Sequence, residues 1–146
     1  MPAPLLILLA ALLGAEPTPV ASPLALGEKL LEKKQYAQAE VELRRAVEAD
    51  PSSARSHGNL ALALLSQKKV REAVDEGRLA AAFGPTSPEA RYIYGLTLSA
   101  AGKPVDAARE YAKAVELKPG APGPRFQKGF PVPPSPSAGP GSASVP

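Results

Sequence analysis

The chain has 146 residues, the size of one small domain, with 18 prolines, 12 glycines, no cysteine and no tryptophan. Without cysteine sulfur there is no disulfide scaffold, thiolate metal site or thiol catalysis. Lys and Arg total 17 against 14 Asp and Glu, a net charge of +3, but the signs interleave and the basic runs are pairs such as Lys33-Lys34, Arg44-Arg45 and Lys68-Lys69. That pattern is a solvated helical surface and excludes a nucleic-acid patch.

The first element is an apolar block, Leu5 to Leu13 (LLILLAALL), followed by Gly14 and Ala15. A bilayer takes about 20 apolar residues, so no transmembrane span is expected. The length matches the hydrophobic region of a secretory signal, with Leu13 and Ala15 three and one before a cut between Ala15 and Glu16. Residues 1–15 are therefore read as a signal peptide and 16–21 as a linker. The protein is expected to be exported, periplasmic or extracellular, if the leader is cleaved, and cytoplasmic otherwise.

The middle is a repeat. Pro51, Pro85 and Pro119 are 34 residues apart, and the same shift aligns Ala39 with Ala73 and Ala107, Ala46 with Ala80 and Ala114, and Leu30 with Leu64 and Leu98. Gly27, Ala61 and Gly95 form a small-residue column beside Leu26, Leu60 and Tyr94. Each unit reads as two helices. In the first, Ser22 caps a helix from Pro23 to about Glu32 with Leu26, Leu30 and Leu31 as its apolar stripe; Gln35 and Tyr36 make the turn. A second helix runs through Ala39, Leu43, Ala46 and Val47 until Asp50-Pro51 stops it. In the third unit Gly102 ends one helix and Pro104 starts the next. The recurring alanines supply the small residues that closely crossing helices need.

Leu26-Gly27 to Leu30, Tyr36, Ala39, Ala46 and Pro51 within a 34-residue unit resemble a tetratricopeptide repeat. The resemblance covers Val20 to Ala121 as units 20–53, 54–87 and 88–121. It implies an all-α fold, a right-handed superhelical array of three helix-turn-helix hairpins, and a non-enzymatic scaffold that binds a protein or peptide partner in its concave groove. The groove residues it implies are Leu24, Glu28 and Leu31; Arg55, Asn59, Leu62 and Leu65; Glu89, Tyr92, Leu96 and Ser99. Tyr92 is assigned to the groove and Tyr94 to the core. Some family members grip the terminal carboxylate of a chaperone with Lys, Asn, Asn, Lys and Arg. Here only Asn59 matches; Ala21, Ala25, Glu89 and Ile93 stand at the other places, so an apolar strip or amphipathic helix is the better partner.

The sequence also departs from the family pattern. Pro23, His57 and Arg91 replace a bulky residue near each unit's start, which predicts weakly anchored first helices. Gly77 stands where Leu43 and Tyr111 stand in the outer units, and a helical glycine costs about 1 kcal/mol against alanine, which makes the middle hairpin the softest. Pro122, Gly123 and Pro124 forbid the family's usual capping helix directly after unit three, leaving apolar surface on the helix from Val105 to Leu117. Self-association through that uncapped unit, giving a homo-oligomer, is the alternative function.

No phosphate loop, metal-ligand spacing or nucleophile elbow occurs, so no catalytic residue, metal or cofactor is implied. The single histidine, His57, reads as structural, and Glu40 with Arg44 as an ordinary surface pair at i and i+4. Residues 122–146 hold eight prolines among Gly, Ser and Ala and are expected to be a disordered tail. Its PxxP spacings, from Pro131 and Pro133, read as spacer, whereas Phe126 and Phe130 beside Arg125 and Lys128 point to a stretch that docks.

Overall fold

The computed structural model describes residues 20–119; the leader assigned to a signal peptide and the proline-rich tail lie outside the described residues. Six helices follow in order: α1 (Pro23–Glu32), α2 (Tyr36–Ala49), α3 (Ala54–Ser66), α4 (Val70–Phe83), α5 (Pro88–Ala100) and α6 (Pro104–Leu117). They form three hairpins, α1–α2, α3–α4 and α5–α6, stacked through α2–α3 and α4–α5. First helices also touch one another, α1 with α3 and α3 with α5, while the second helices do not. The stack therefore curves, with the first helices on its inner face. This is an all-α solenoid.

Local chemistry sets the helix bounds. The first helices start on serine caps: the amides of Ala25, Ser56 and Ala90 donate to Ser22, Ser53 and Ser87 Oγ at 3.2, 3.1 and 3.1 Å. Ser53 and Ser87 are one period apart, but Ser22 lies three residues later in its unit, so α1 has 10 residues where α3 and α5 have 13. Pro23, Pro88 and Pro104 sit in first turns, where a missing N–H costs nothing. Tyr36 opens α2 instead of lying in the turn.

All three first helices end in one motif. Lys34 N, Lys68 N and Gly102 N donate to Leu31 O, Leu65 O and Ser99 O, and the next amides, Gln35, Lys69 and Lys103, reach back to Leu30, Leu64 and Leu98 O at 2.9–3.0 Å. These are the paired bonds of a Schellman cap, whose turn residue is left-handed. Gly102 takes that conformation at φ 73°, whereas Lys34 and Lys68 adopt φ 58° and 65° with a Cβ crowding the backbone.

Two apolar clusters follow the junctions. Leu31, Ala39, Leu43, Leu60, Ala63, Leu64 and Ala73 join units one and two; Ala61, Leu62, Tyr92, Ile93, Leu96 and Ala114 join units two and three. Glycines set the close approaches. A Cβ on Gly27 would stand 2.6 Å from Leu43 Cδ2, and one on Gly95 2.5 Å from Tyr111 Cε1. Gly77 is also an approach point: a Cβ there would meet Thr97 Oγ1 at 2.9 Å and Tyr94 Cα at 3.3 Å. Helix propensity alone marks Gly77 as a weak spot; the structure adds that the missing side chain is what lets α5 seat on α4.

The left-handed lysines give a stability test. Lys34→Gly and Lys68→Gly are each expected to raise the unfolding free energy by about 0.5–1 kcal/mol, because glycine removes the Cβ clash. Urea titration of the single and double variants measures this; equal or lower midpoints contradict it.

Candidate partner-binding face

The inner face carries the residues assigned to the groove, in three states of exposure. Leu31, Leu62, Tyr92 and Leu96 are 2, 2, 7 and 4% exposed. They belong to the two core clusters, so their side chains are committed to holding the units together. This corrects the groove assignment of Tyr92, whose ring packs on Tyr111 with centroids 5.4 Å apart; Tyr94 is the half-buried one of the pair. Burial raises the Tyr92 hydroxyl pKa, and burial followed by the neighbouring Tyr92 pushes Tyr111 up to about 12 against the effect of its hydrogen bond with Ser99.

Leu24, Glu28, Asn59 and Leu65 are half-buried, and Arg55, Glu89 and Ser99 are exposed. Three of these come together across the first junction. Arg55 Nε and Nη2 donate to the two oxygens of Glu28 at 2.6 and 2.9 Å, and Asn59 Nδ2 donates to Glu28 Oε1 at 2.8 Å. Such a two-point guanidinium–carboxylate pair is geometrically strict. Glu89 stands apart and accepts from Ser87 Oγ at 3.1 Å. The accessible part of this face is thus more polar than the sequence pattern implies: a neutralised Glu28–Arg55–Asn59 cluster, with Leu24 and Leu65 half-buried and Ser99 exposed.

Two polar arrangements overturn expectations. His57 and Arg91 anchor their helix starts instead of weakening them. His57 Nδ1 lies 2.7 Å from Glu76 Oε2 and Nε2 lies 2.9 Å from Pro51 O, with the ring stacked on Phe83. One period later Arg91 Nη1 donates to Glu110 Oε2 at 3.1 Å and Nη2 reaches Pro85 O at 3.5 Å. Each basic side chain ties its unit's second helix to the turn that closes the preceding unit. The signal was present in the sequence: Glu76 and Glu110 follow by 19 residues and Pro51 and Pro85 precede by six, both times.

The second arrangement concerns Glu40, which is 9% exposed and not an ordinary surface residue. It accepts from Arg44 Nη2 and Nε at 2.8 and 3.1 Å, Gln67 Nε2 at 2.8 Å and Lys69 Nζ at 2.8 Å, and Arg44 also reaches Glu72 at 2.7 Å. Burial alone would raise its pKa, but the hydrogen bonds from Lys69, Arg44 and Gln67 outweigh that and hold the carboxyl at about 2. Among the described residues no group of three or more His, Cys, Asp or Glu side chains is placed to hold a metal, and no helix is long and apolar enough to cross a membrane.

A curved stack of 34-residue helical hairpins with its inner face built from first helices defines a solenoid of the protein-interaction class. The tetratricopeptide repeat profile matches residues 24–88 and 77–122, and the chain belongs to the tetratricopeptide repeat family. No curated protein matches the sequence. Among solved structures, the crystal structure of MamA is 27% identical, covering 76% of this chain and 65% of that one at a TM-score of 0.65. The first tetratricopeptide domain of Spaghetti (RPAP3), bound to the HSP90 peptide SRMEEVD, is 26% identical over 64% of this chain and 75% of that one, at 0.61. A second MamA structure is 24% identical at a TM-score of 0.57, and this chain spans 53% of its length.

The Glu40 carboxyl fixes a pH dependence. Its folded pKa of about 2 lies below the ordinary 4.5, so its stabilisation is complete above pH 4.5 and is lost as the pH falls towards 2. Urea unfolding at a series of pH values is expected to show that loss, and Glu40→Gln to lower neutral-pH stability by about 1–2 kcal/mol while flattening the acid limb. An acid limb unchanged in the variant places the acid-sensitive group elsewhere.

Proposed function

We propose that the protein is a non-enzymatic adaptor whose inner face binds a partner segment bearing apolar side chains, as an amphipathic helix or strip. The observation that carries this reading is the Glu28–Arg55–Asn59 cluster. It pairs the charges of Glu28 and Arg55 with one another and leaves the half-buried Leu24 and Leu65 as apolar side chains of the same two helices. A carboxylate-ended tail such as the one bound to Spaghetti finds little here. Asn59 is committed to Glu28, Ile93 is buried, and Ala21, Ala25 and Glu89 supply no positive charge. A helix that lays one apolar side into a groove needs none.

The test is selection from a phage-displayed library of helical peptides, with the SRMEEVD peptide as the acidic comparison. Selected sequences are expected to carry apolar residues at i and i+3 or i+4 and to lose at least about tenfold in affinity against Leu65→Glu. Tyr92→Ala and Leu62→Ala are unsuitable probes because they open the core. Convergence on acidic tails, or full binding by Leu65→Glu, contradicts the reading.

Export completes the proposal, supported by the Leu5–Leu13 block and the small residues that follow it. The mass of the chain recovered from its native host with its own leader is expected to lack residues 1–15. A mass that retains Met1 to Ala15 returns the adaptor to the cytoplasm and leaves the groove reading untouched.

A further inference from the structure

Charges outside ion pairs are sorted by sign along this array. Lys29, Lys33, Lys34, Lys68, Arg71 and Lys103 are all exposed, and among the described residues none of them has a carboxylate partner. Each lies at or beside a turn inside a hairpin: Lys29 in the last turn of α1, Lys33 and Lys34 between α1 and α2, Lys68 between α3 and α4, Arg71 at the start of α4, and Lys103 between α5 and α6. The turns share one edge. Gln67 Nε2 donates to Tyr36 O at 3.3 Å and Lys69 Nζ to Glu40 at 2.8 Å, which sets the turn of unit two against that of unit one. In the sequence these cations are short runs one period apart; the fold gathers them. Beside them, among the described residues, Glu32 is the carboxylate left outside an ion pair, because Glu72 holds Arg44 and Asp106 holds Arg109. The opposite, serine-capped edge has the reverse balance, with Glu48, Asp50, Glu89 and Glu116 outside ion pairs there against Lys118.

Two of these lysines sit on strained backbone. Among the described residues Lys34 and Lys68 are the non-glycine residues at positive φ, in the turn position that Gly102 fills in unit three. Glycine meets no steric cost in that conformation, and Asn or Asp offsets it with local hydrogen bonds; lysine does neither. Neither side chain makes a hydrogen bond or ion pair that would compensate. An exposed ammonium placed twice, in register, where it weakens the fold points to a use for its charge outside the chain.

We propose that this edge is an electrostatic seat for an anionic lipid surface. Five of its six unpaired cations are lysines, mobile and hydrated point charges with no planar fork to read a single carboxylate. The guanidinium forks of Arg44 and Arg55 are already closed on Glu40 and Glu28. Such an edge rewards the number of negative charges that it meets and not their arrangement, which suits a layer of lipid headgroups better than an acidic peptide segment. Val105, 65% exposed in the first turn of α6 beside Lys103, adds an apolar side chain that the headgroup boundary accommodates. The seat lies at the helix ends, so the inner face stays open and the proposal stands apart from the adaptor reading.

Co-sedimentation of the full chain with vesicles of phosphatidylglycerol and phosphatidylcholine in equal parts, against phosphatidylcholine alone, tests this. The ratio of the two partition coefficients cancels what the apolar leader contributes to both. That ratio is expected to be high in about 0.05 M salt and to collapse in about 0.5 M. Lys34→Gly/Lys68→Gly, which is expected to be more stable than the wild type, is expected to lower it about tenfold. Arg78→Gln/Lys118→Gln removes the same charge further from the edge and is expected to change it less than about twofold. No preference for the anionic vesicles overturns the proposal, as does an equal loss in the two double variants. Tighter binding to polyglutamate than to the vesicles at equal anionic charge also overturns it and gives the edge to an acidic protein partner.

Discussion

No hairpin in this array can bury its own apolar surface, because two short helices leave one side of each open. The constraint that organises everything else is therefore the contact between residues one period apart, where a unit borrows the core it lacks from its neighbour. Glycines show how tightly both kinds of contact, within a hairpin and between units, are drawn. Gly27 leaves room for Leu43 and Gly95 for Tyr111, and at Gly77 the room goes to Thr97 and Tyr94 of the following unit. Changing the residue on one side of such a contact without the other costs about 1–3 kcal/mol in strain or cavity. In units one and three the glycine of the first helix accordingly faces a bulky residue of the second, whereas unit two carries Ala61 and Gly77 at those positions.

The two junctions solve the same problem with different chemistry. Between units one and two the outer side is held by Glu40, which gathers Arg44, Gln67 and Lys69, and the inner side by Glu28 with Arg55 and Asn59. Between units two and three the hold is by packing, with Tyr92, Ile93 and Leu96 against Ala61 and Leu62. The exposed Arg44–Glu72 contact adds little, since solvent-facing pairs are worth about 0–1 kcal/mol. The buried side of the network is different: removing a partner strands a charge away from water.

Much of the fold is legible in the residues. The proline ruler, the Ser22 cap and Gly102-Lys103-Pro104 place helix ends nearly to the residue, because caps and turns are local chemistry. The division between groove and core is not legible in the same way. Helix α5 touches α3, α4 and α6, so Tyr92, Ile93, Leu96 and Leu98 are buried on nearly every side, and a scheme with one inner and one outer face misassigns Tyr92. Long polar side chains are harder still. Glu28 finds Asn59 31 residues away and Glu40 finds Lys69 29 away, and neither separation is a helical spacing. Only the repetition of His57 with Glu76 and Pro51 as Arg91 with Glu110 and Pro85 could expose such a contact beforehand, since one bridge drawn twice at one period is a structural demand.

This asymmetry bears on how the inner face works. At its first junction the face carries the Glu28–Arg55–Asn59 contacts over an apolar cluster, and at its second it is held by apolar packing. The inner face therefore presents a polar, internally neutralised stretch at Glu28, Arg55 and Asn59 and a closed apolar floor at Tyr92 and Leu96. Charge in the partner is not rewarded at either end: Glu28 already holds Arg55 and Asn59, and Tyr92 and Leu96 offer no ionic group. Under the proposed adaptor reading, selectivity comes from shape, through the half-buried Leu24 and Leu65 and the small, exposed Ala25 and Ser99. A ligand read by shape demands that the units hold their spacing, and the cross-unit bridges of Glu28, Glu40, His57 and Arg91 are placed where they resist a change in that spacing.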